Sequence, residues 1–341
     1  MTQQTLVEIC QLQNRAFSNT NVAGWLSKMR SLSSAERAGN VFLPPAYPVI
    51  NAALLSRYLM KLANTWKVLP SPAGSAGLDA PPSSSTSKSL HMRLVIVAGA
   101  ASDMGWAVAM RLAENGARVA ALDADACKLE QLAKEAAMSG GVVLAVPLDL
   151  CDLAAVRAGV EKAEGELTSL TWGLVNCCSR MQCEAVSAGN AEAWGDMLDH
   201  NCRSVLNVTG AAMNSLTSGD ARRGGHIINI TSDSSQHSCN GLAAYSATKH
   251  FIESWSRGLR RELAPLGIRV TNIQPGSIHS EIKMHFGENA DRVLASGGHA
   301  IISTVAPSVS DVAEAVLLSM ASHNTINFND IMVEPLLCFN E

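Results

Sequence analysis

Tyr245 and Lys249 stand four residues apart in Tyr245-Ser-Ala-Thr-Lys249. That spacing puts both side chains on one face of a helix, one turn apart. A free phenol has a pKa of about 10 and is a poor base at neutral pH. An ammonium beside it stabilises the phenolate and makes the phenol a usable proton donor and acceptor for a carbonyl or an alcohol. Ser232 lies thirteen residues upstream, just after the apolar run His226-Ile-Ile-Asn-Ile-Thr231. A Tyr-x-x-x-Lys pair arises in many helices by chance, so its meaning depends on what stands around it.

A second constellation supplies that context. The run Arg93-Leu-Val-Ile-Val-Ala98 leads into Gly99-Ala-Ala-Ser102-Asp103-Met104-Gly105. A turn of small residues between a strand and a helix lets backbone N–H groups face a diphosphate, and the helix dipole favours the negative charge. Asp123, 18 residues beyond Gly105, ends the next apolar run. A carboxylate there can accept bonds from an adenosine ribose and repels a 2′-phosphate. No Arg or Lys is evident in the turn or beside Asp123, so NAD is expected over NADP. The alternative role for Asp123 is a cap on the helix that begins near Asp125.

The elements that must hold these groups are legible from residue 92 onward. Apolar runs near 93–98, 117–122, 142–148, 171–176, 225–231, 268–274 and 328–333 read as strands. Helical stretches near 103–115, 125–138, 152–164, 193–216, 243–264 and 309–321 separate them. Continuous apolar strands alternating with helices of this length predict a parallel sheet covered on both faces. Right-handed crossovers then give a doubly wound, Rossmann-like α/β/α fold with its binding crevice at the strand C-termini.

Taken in order, these motifs clearly resemble the short-chain dehydrogenase/reductase family over about residues 92–335. The resemblance implies a hydride-transfer oxidoreductase acting on a small alcohol or carbonyl with a nicotinamide cofactor. It assigns Ser232 to orient the substrate oxygen and Tyr245 to exchange its proton. Lys249 would support Tyr245 and hold the nicotinamide ribose, and Asn201, in His200-Asn-Cys202, would position a water linking Lys249 to solvent. It places Gly99, Ser102, Asp103, Met104 and Gly105 around the diphosphate, Asp149 and Leu150 near the adenine, and Asn176 at the end of strand four. In Gln274-Pro275-Gly276-Ser-Ile278-His-Ser280, Pro275 and Gly276 form the later turn. Ile278 would offer backbone atoms to the carboxamide, with Ser280 nearby. The tail from Ser310 to Pro335 resembles members acting on 3-hydroxy acids. A homodimer or homotetramer built through the long helices near 193–216 and 243–264 is also implied.

Two departures stand out. Asp103 replaces the family's middle glycine, where a carboxylate would repel a diphosphate unless it serves as the helix N-cap. Asn176-Cys177-Cys178-Ser179 replaces Asn-Asn-Ala-Gly. Both favour a second reading, a catalytically impaired dinucleotide-binding or scaffold protein of the same fold.

Composition removes other classes. With 47% hydrophobic, 16% charged and 4% aromatic residues and a net charge of −4, the 341-residue chain is neither disordered throughout nor a nucleic-acid binder. No apolar run is long enough for a membrane span. Nine cysteines without a C-x-x-C pair fit a reducing compartment, and the Cys177, Cys178, Cys183 group lacks metal-ligand spacing, so no metal is expected. No G-x-S-x-G elbow is present for a hydrolase. His226, His237 and His279 are expected near the cleft as surface or pocket residues, and residues 281–305, with Gly287, Gly297 and Gly298, as a lid.

The first 90 residues carry a net charge of +5 and the remainder −9. Residues 1–70 read as an accessory or targeting extension, with Met29, Met60 and Met92 as alternative starts. Residues 71–91, rich in Ser, Pro, Ala and Gly, read as a linker. The expected location is cytoplasmic or mitochondrial, not secreted.

Overall fold

A computed structural model describes residues 90–218, 224–238, 240–276, 278 and 306–335. The chain separates into two units, residues 1–82 and 83–341, and every described residue belongs to the second. The extension, the linker up to residue 89, residues 281–305, His279 and Ser280 lie outside the described residues.

Seven strands form one parallel sheet: β1 (Leu94–Ala98), β2 (Arg118–Asp123), β3 (Val142–Pro147), β4 (Thr171–Asn176), β5 (His226–Ile230), β6 (Arg269–Pro275) and β7 (Asp330–Val333). Their order is β3-β2-β1-β4-β5-β6-β7, a doubly wound sheet that reverses direction between β1 and β4. The inner strands are continuous apolar runs because both of their faces are covered. In β1, Val95 and Val97 enter one core while Leu94, Ile96 and Ala98 enter the other, the two-residue period of a strand.

The first core is closed by α1 (Asp103–Glu114), α2 (Ala126–Met138) and a later helix, Val309–Ala321. The second is closed by α3 (Leu153–Glu166) and by residues of two further helices, Ser204–Thr217 and Ala243–Leu263. The single helix expected over 193–216 is three pieces: α4 (Ala191–Leu198), a π turn (Asp199–Arg203) and α5 (Ser204–Thr217). The long helix that follows is α6 (Ala243–Leu263), and Val309–Ala321 is α7.

Two buried polar arrangements brace this frame. Asn176 Nδ2 donates to Asn229 Oδ1 (2.8 Å), and Asn229 Nδ2 donates to Ser256 Oγ (2.8 Å), joining β4, β5 and α6. Arg269, at the start of β6, donates to the carbonyls of Ser319 (3.1 Å) and Met320 (3.3 Å) and to Ser322 Oγ (2.7 Å), satisfying carbonyls that α7 leaves open at its end. Burial pulls the Arg269 guanidinium down to about 10.

His226 requires a correction. It opens β5, at the end of the strand away from Ser232, is fully buried, and shares a hydrogen bond with Thr271 Oγ1 (2.9 Å). It belongs to the core rather than the cleft, and burial holds its imidazole well below the usual value. His237 is exposed beyond Ser232.

Candidate active site

The turn after β1 is built for close approach of main chain. Gly99 has φ +79°, a region that disfavours a side chain, and a Cβ there would lie 2.9 Å from the backbone of Cys177 and Cys178. A Cβ on Gly105 would lie 2.1 Å from the Gly99 carbonyl oxygen. The turns after β1 and β4, the two sides of the sheet's reversal point, are therefore in contact.

Ser102, not Asp103, is the N-cap of α1: its Oγ accepts from Gly105 N (3.0 Å) and donates to the Gly99 carbonyl (2.7 Å). The short, rotatable hydroxyl reaches back across the turn, whereas Asp103 is already in the first turn of the helix. There its Oδ1 accepts from Met104 N (2.7 Å).

Asp123 Oδ2 accepts from Ala101 N (3.1 Å), and its Oδ1 accepts from Ala124 N (2.7 Å), so this carboxylate ties the end of β2 to the glycine turn. The cap of α2 is Asp125, which accepts from Lys128 N (3.0 Å). The expectation of no cation near this pair is corrected by Lys128. Its Nζ reaches the Ala101 carbonyl (3.4 Å), because one turn of helix carries it back over the turn. Beyond β3, Asp149 Oδ1 accepts from Cys151 N (2.8 Å), and Asn207 of α5 donates to the carbonyls of Leu150 and Cys151 (3.0 Å each). Asp149 and Leu150 thus sit in a pinned loop at the C-terminal edge of the sheet. Asn176 directs its side chain to Asn229 of β5 and Thr209 of α5.

On α6, Tyr245, Lys249 and Glu253 share the buried face. Lys249 is 2% exposed, its Nζ 5.7 Å from the centre of the Tyr245 ring and 3.1 Å from the Ile230 carbonyl that ends β5. That bond fixes the ammonium two residues from Ser232. The Tyr245 ring packs with Met181, Met197 and Leu242. Ser232 Oγ accepts from Ser234 N (3.1 Å) and donates to Asp233 Oδ1 (3.0 Å). Its hydroxyl is poised at the strand end but turned toward a neighbouring carboxylate.

Asn201 sits within the π turn, 1% exposed. Its Oδ1 accepts from Arg180 N (2.6 Å), and its Nδ2 donates to the Arg180 carbonyl (2.9 Å) and to Thr248 Oγ1 (3.0 Å). The side chain is fully engaged in fixing the loop after β4 against α6. A π turn in a helix is rare and is found mostly at functional sites. Cys177 and Cys178 line the same junction. Burial raises the Cys177 thiol and pushes that of Cys178 up to about 12, so both are neutral thiols at physiological pH.

Sequence reasoning missed Glu253. Its Oε1 accepts from Ser235 Oγ and from Gln274 Nε2 (2.8 Å), so one buried carboxylate joins the turn after Ser232, the Tyr245–Lys249 helix and the end of β6. Its spacing of four from Lys249, continuing the spacing from Tyr245, was the available signal. Pro275 ends β6, and the Gly276 amide donates to the Val333 carbonyl (2.9 Å). Ile278 is buried in the same core as Met104 and Cys177.

The pattern of the family described as short chain dehydrogenase matches residues 93–291. The chain belongs to the short-chain dehydrogenase family. Over 246 residues it is 30% identical to the glycine betaine reductase of Emericella nidulans, covering 72% of this chain but only 19% of that much longer protein. A short-chain dehydrogenase from Burkholderia cenocepacia, solved with NADP, superposes with a TM-score of 0.63 at 25% identity, covering 72% of this chain and 97% of the other. The 3-ketoacyl-(acyl-carrier-protein) reductase of Brucella melitensis, solved with NADH, gives 0.62 at 26%, covering 72% and 98%. Membership in this dehydrogenase family makes the chain an oxidoreductase with a nicotinamide-dependent role. The close-packed Gly99 and Gly105 fit a dinucleotide, and Asp103 is the one residue of the turn whose charge opposes it. Among the described residues no helix is long and apolar enough to cross a membrane, and no group of three or more His, Cys, Asp or Glu could hold a metal.

Proposed function

We propose that this chain interconverts a small alcohol and its carbonyl compound, with Ser232, Tyr245, Lys249 and Asn201 as the working set. The observation that carries the reading is Lys249. This buried ammonium is held by the Ile230 carbonyl under the Tyr245 ring, at the end of the strand that delivers Ser232. With Lys249 beside it, the Tyr245 hydroxyl would take the alcohol proton in one direction and return it to the carbonyl oxygen in the other. Ser232 would turn its hydroxyl from Asp233 to the substrate oxygen. Asn201 acts by holding the 177–183 loop in place. A bound nicotinamide supplies or accepts the hydride. Gly99, Ser102, Met104 and Gly105 would hold its diphosphate; Asp123, Asp149 and Leu150 its adenosine half; Lys249, Pro275, Gly276, Ile278 and Ser280 its nicotinamide half.

Asp123 supports NAD over NADP, because a carboxylate fixed against Ala101 N repels a 2′-phosphate. Lys128, whose Nζ reaches the Ala101 carbonyl, is a cation that would favour a 2′-phosphate and so weakens that preference. The tail pattern supports a 3-hydroxy acid or similar small alcohol as substrate. Exposed Leu206 and Phe251, on α5 and α6, support a homodimer or homotetramer through those helices.

The test is Tyr245→Phe, assayed with a panel of alcohols, hydroxy acids and ketones and either nucleotide. Turnover should fall by about a hundredfold or more while NADH binding, followed by fluorescence, is retained. Unchanged turnover overturns the assignment. The second reading, a dinucleotide-binding protein with impaired catalysis, is favoured by Asp103 and by Cys177-Cys178-Ser179 and predicts no turnover on any substrate of the panel.

A further inference from the structure

We propose that Asp103 is a built-in anion that competes with the cofactor's diphosphate for the amino end of α1, so that the charge of this one side chain sets how tightly the protein holds a dinucleotide. The inference rests on reading the Gly99–Gly105 turn as the diphosphate site.

A helix N-terminus attracts an anion through amide groups that have no partner inside the helix. In and around this turn several amides are already occupied from within. The amides of Gly99 and Ala100 donate to the Leu122 carbonyl (2.9 and 3.2 Å), and that of Ser102 to the Gly99 carbonyl (3.2 Å). Ala101 N donates to Asp123 Oδ2 (3.1 Å) and Gly105 N to Ser102 Oγ (3.0 Å). Met104 N, at the mouth of the helix, donates to Asp103 Oδ1 (2.7 Å). Two of these acceptors are carboxylates, and the one on Met104 comes from the helix's own first turn.

The charge also reaches the crevice floor. Burial chiefly raises the Cys177 thiol, with Cys178 and, least, Asp103 adding to it against Lys249, across the contact between the turns after β1 and β4. A diphosphate arriving at α1 therefore meets a fixed negative charge and an amide already engaged. It must displace the carboxylate or bind beside it against repulsion. The same carboxylate stabilises α1 through the helix dipole. Removing the charge should thus move two quantities in opposite directions, with tighter cofactor binding and a less stable fold, a pairing that a residue of purely structural importance would not produce.

The experiment uses the full chain as wild type, Asp103→Asn and Asp103→Gly. NADH binding is titrated by energy transfer from tryptophan, Trp106 lying one turn along α1, at several NaCl concentrations, alongside thermal melts. Asp103→Asn keeps an oxygen that can accept from Met104 N; Asp103→Gly opens the space as well. Both variants should bind NADH about tenfold tighter than wild type or better, and neither should melt higher. Wild-type affinity should gain relative to the variants as salt screens the repulsion. Equal affinities in all three proteins, or weaker binding by both variants, overturn the role given to Asp103. Failure of all three to bind either NADH or NADPH, with normal melts, instead overturns the dinucleotide site itself.

Discussion

Replacing Glu253 by alanine tests whether the site is held together by the buried carboxylate that sequence reading passed over. The side chain is 3% exposed, and its Oε1 accepts from Ser235 Oγ and from Gln274 Nε2. Alanine leaves two donors in a buried region without their acceptor, each costing about 1–3 kcal/mol, and leaves space where the side chain stood. The sum is about 3–5 kcal/mol. At about 2–4 °C per kcal/mol for a domain of this size, the melting temperature should fall by about 10 °C. Glu253→Gln keeps an oxygen acceptor and should recover about half of that loss. The functional consequence is separate from the stability loss. Ser235 stands three residues from Ser232, and Gln274 two residues before Gly276, so freeing both should lower kcat more than it raises KM at a temperature where the variant remains folded. A melting temperature within 2 °C of wild type for Glu253→Ala would refute the reasoning, as would a variant of normal kcat.

Three further outcomes follow from the same structure. Gly105→Ala puts a Cβ 2.1 Å from a backbone oxygen, so it should lower the melting temperature and abolish NADH binding; wild-type behaviour in both would show that the turn can open freely. His226 stays neutral when folded and takes a proton near pH 6.5 when unfolded, so stability is full above that pH and falls by up to about 1.4 kcal/mol per unit below it. Melts from pH 7 to 5 should show this slope, and His226→Leu should flatten it. Alkylation at pH 7.5 with peptide mapping should modify the exposed Cys127 quickly. Cys178, pushed up to about 12, and Cys202, pushed up to about 11, should react only on unfolding.

The sheet was legible because burial on both faces forces each inner strand to be a short apolar run. The strand ranges read from sequence agree with the structure to within about two residues. The turn and the Tyr245–Lys249 pair were legible because their chemistry depends on spacing along one element. What was hidden depends on positions brought together from different elements. Glu253 reads in sequence as one polar residue of an amphipathic helix, and only the fold presents Ser235 and Gln274 to it. Lys128 lies too far along the chain from Ala101 to be paired with it by inspection. His226 resembles a cleft residue because it shares a strand with Ser232, yet it occupies the other end. The interruption after Leu198 leaves no mark in the pattern of apolar residues, since both flanking segments keep helical periodicity.

That interruption has a consequence for how the helix pair can vary. Successive residues of a regular helix are rotated by about 100°, so a single inserted or deleted residue turns everything beyond it to a new face. The widened turn at Asp199–Arg203 takes up such an offset: Met197 upstream packs with Tyr245, while Val205, Val208 and Ala212 downstream pack on the sheet. Deleting one residue from this stretch would restore an uninterrupted helix at the expense of aim. Either Met197 would swing away from the aromatic ring, or the α5 valines would swing away from the strands. Tolerance to length change should therefore be lower at these five residues than in the surface loops, although none of them lies in a strand.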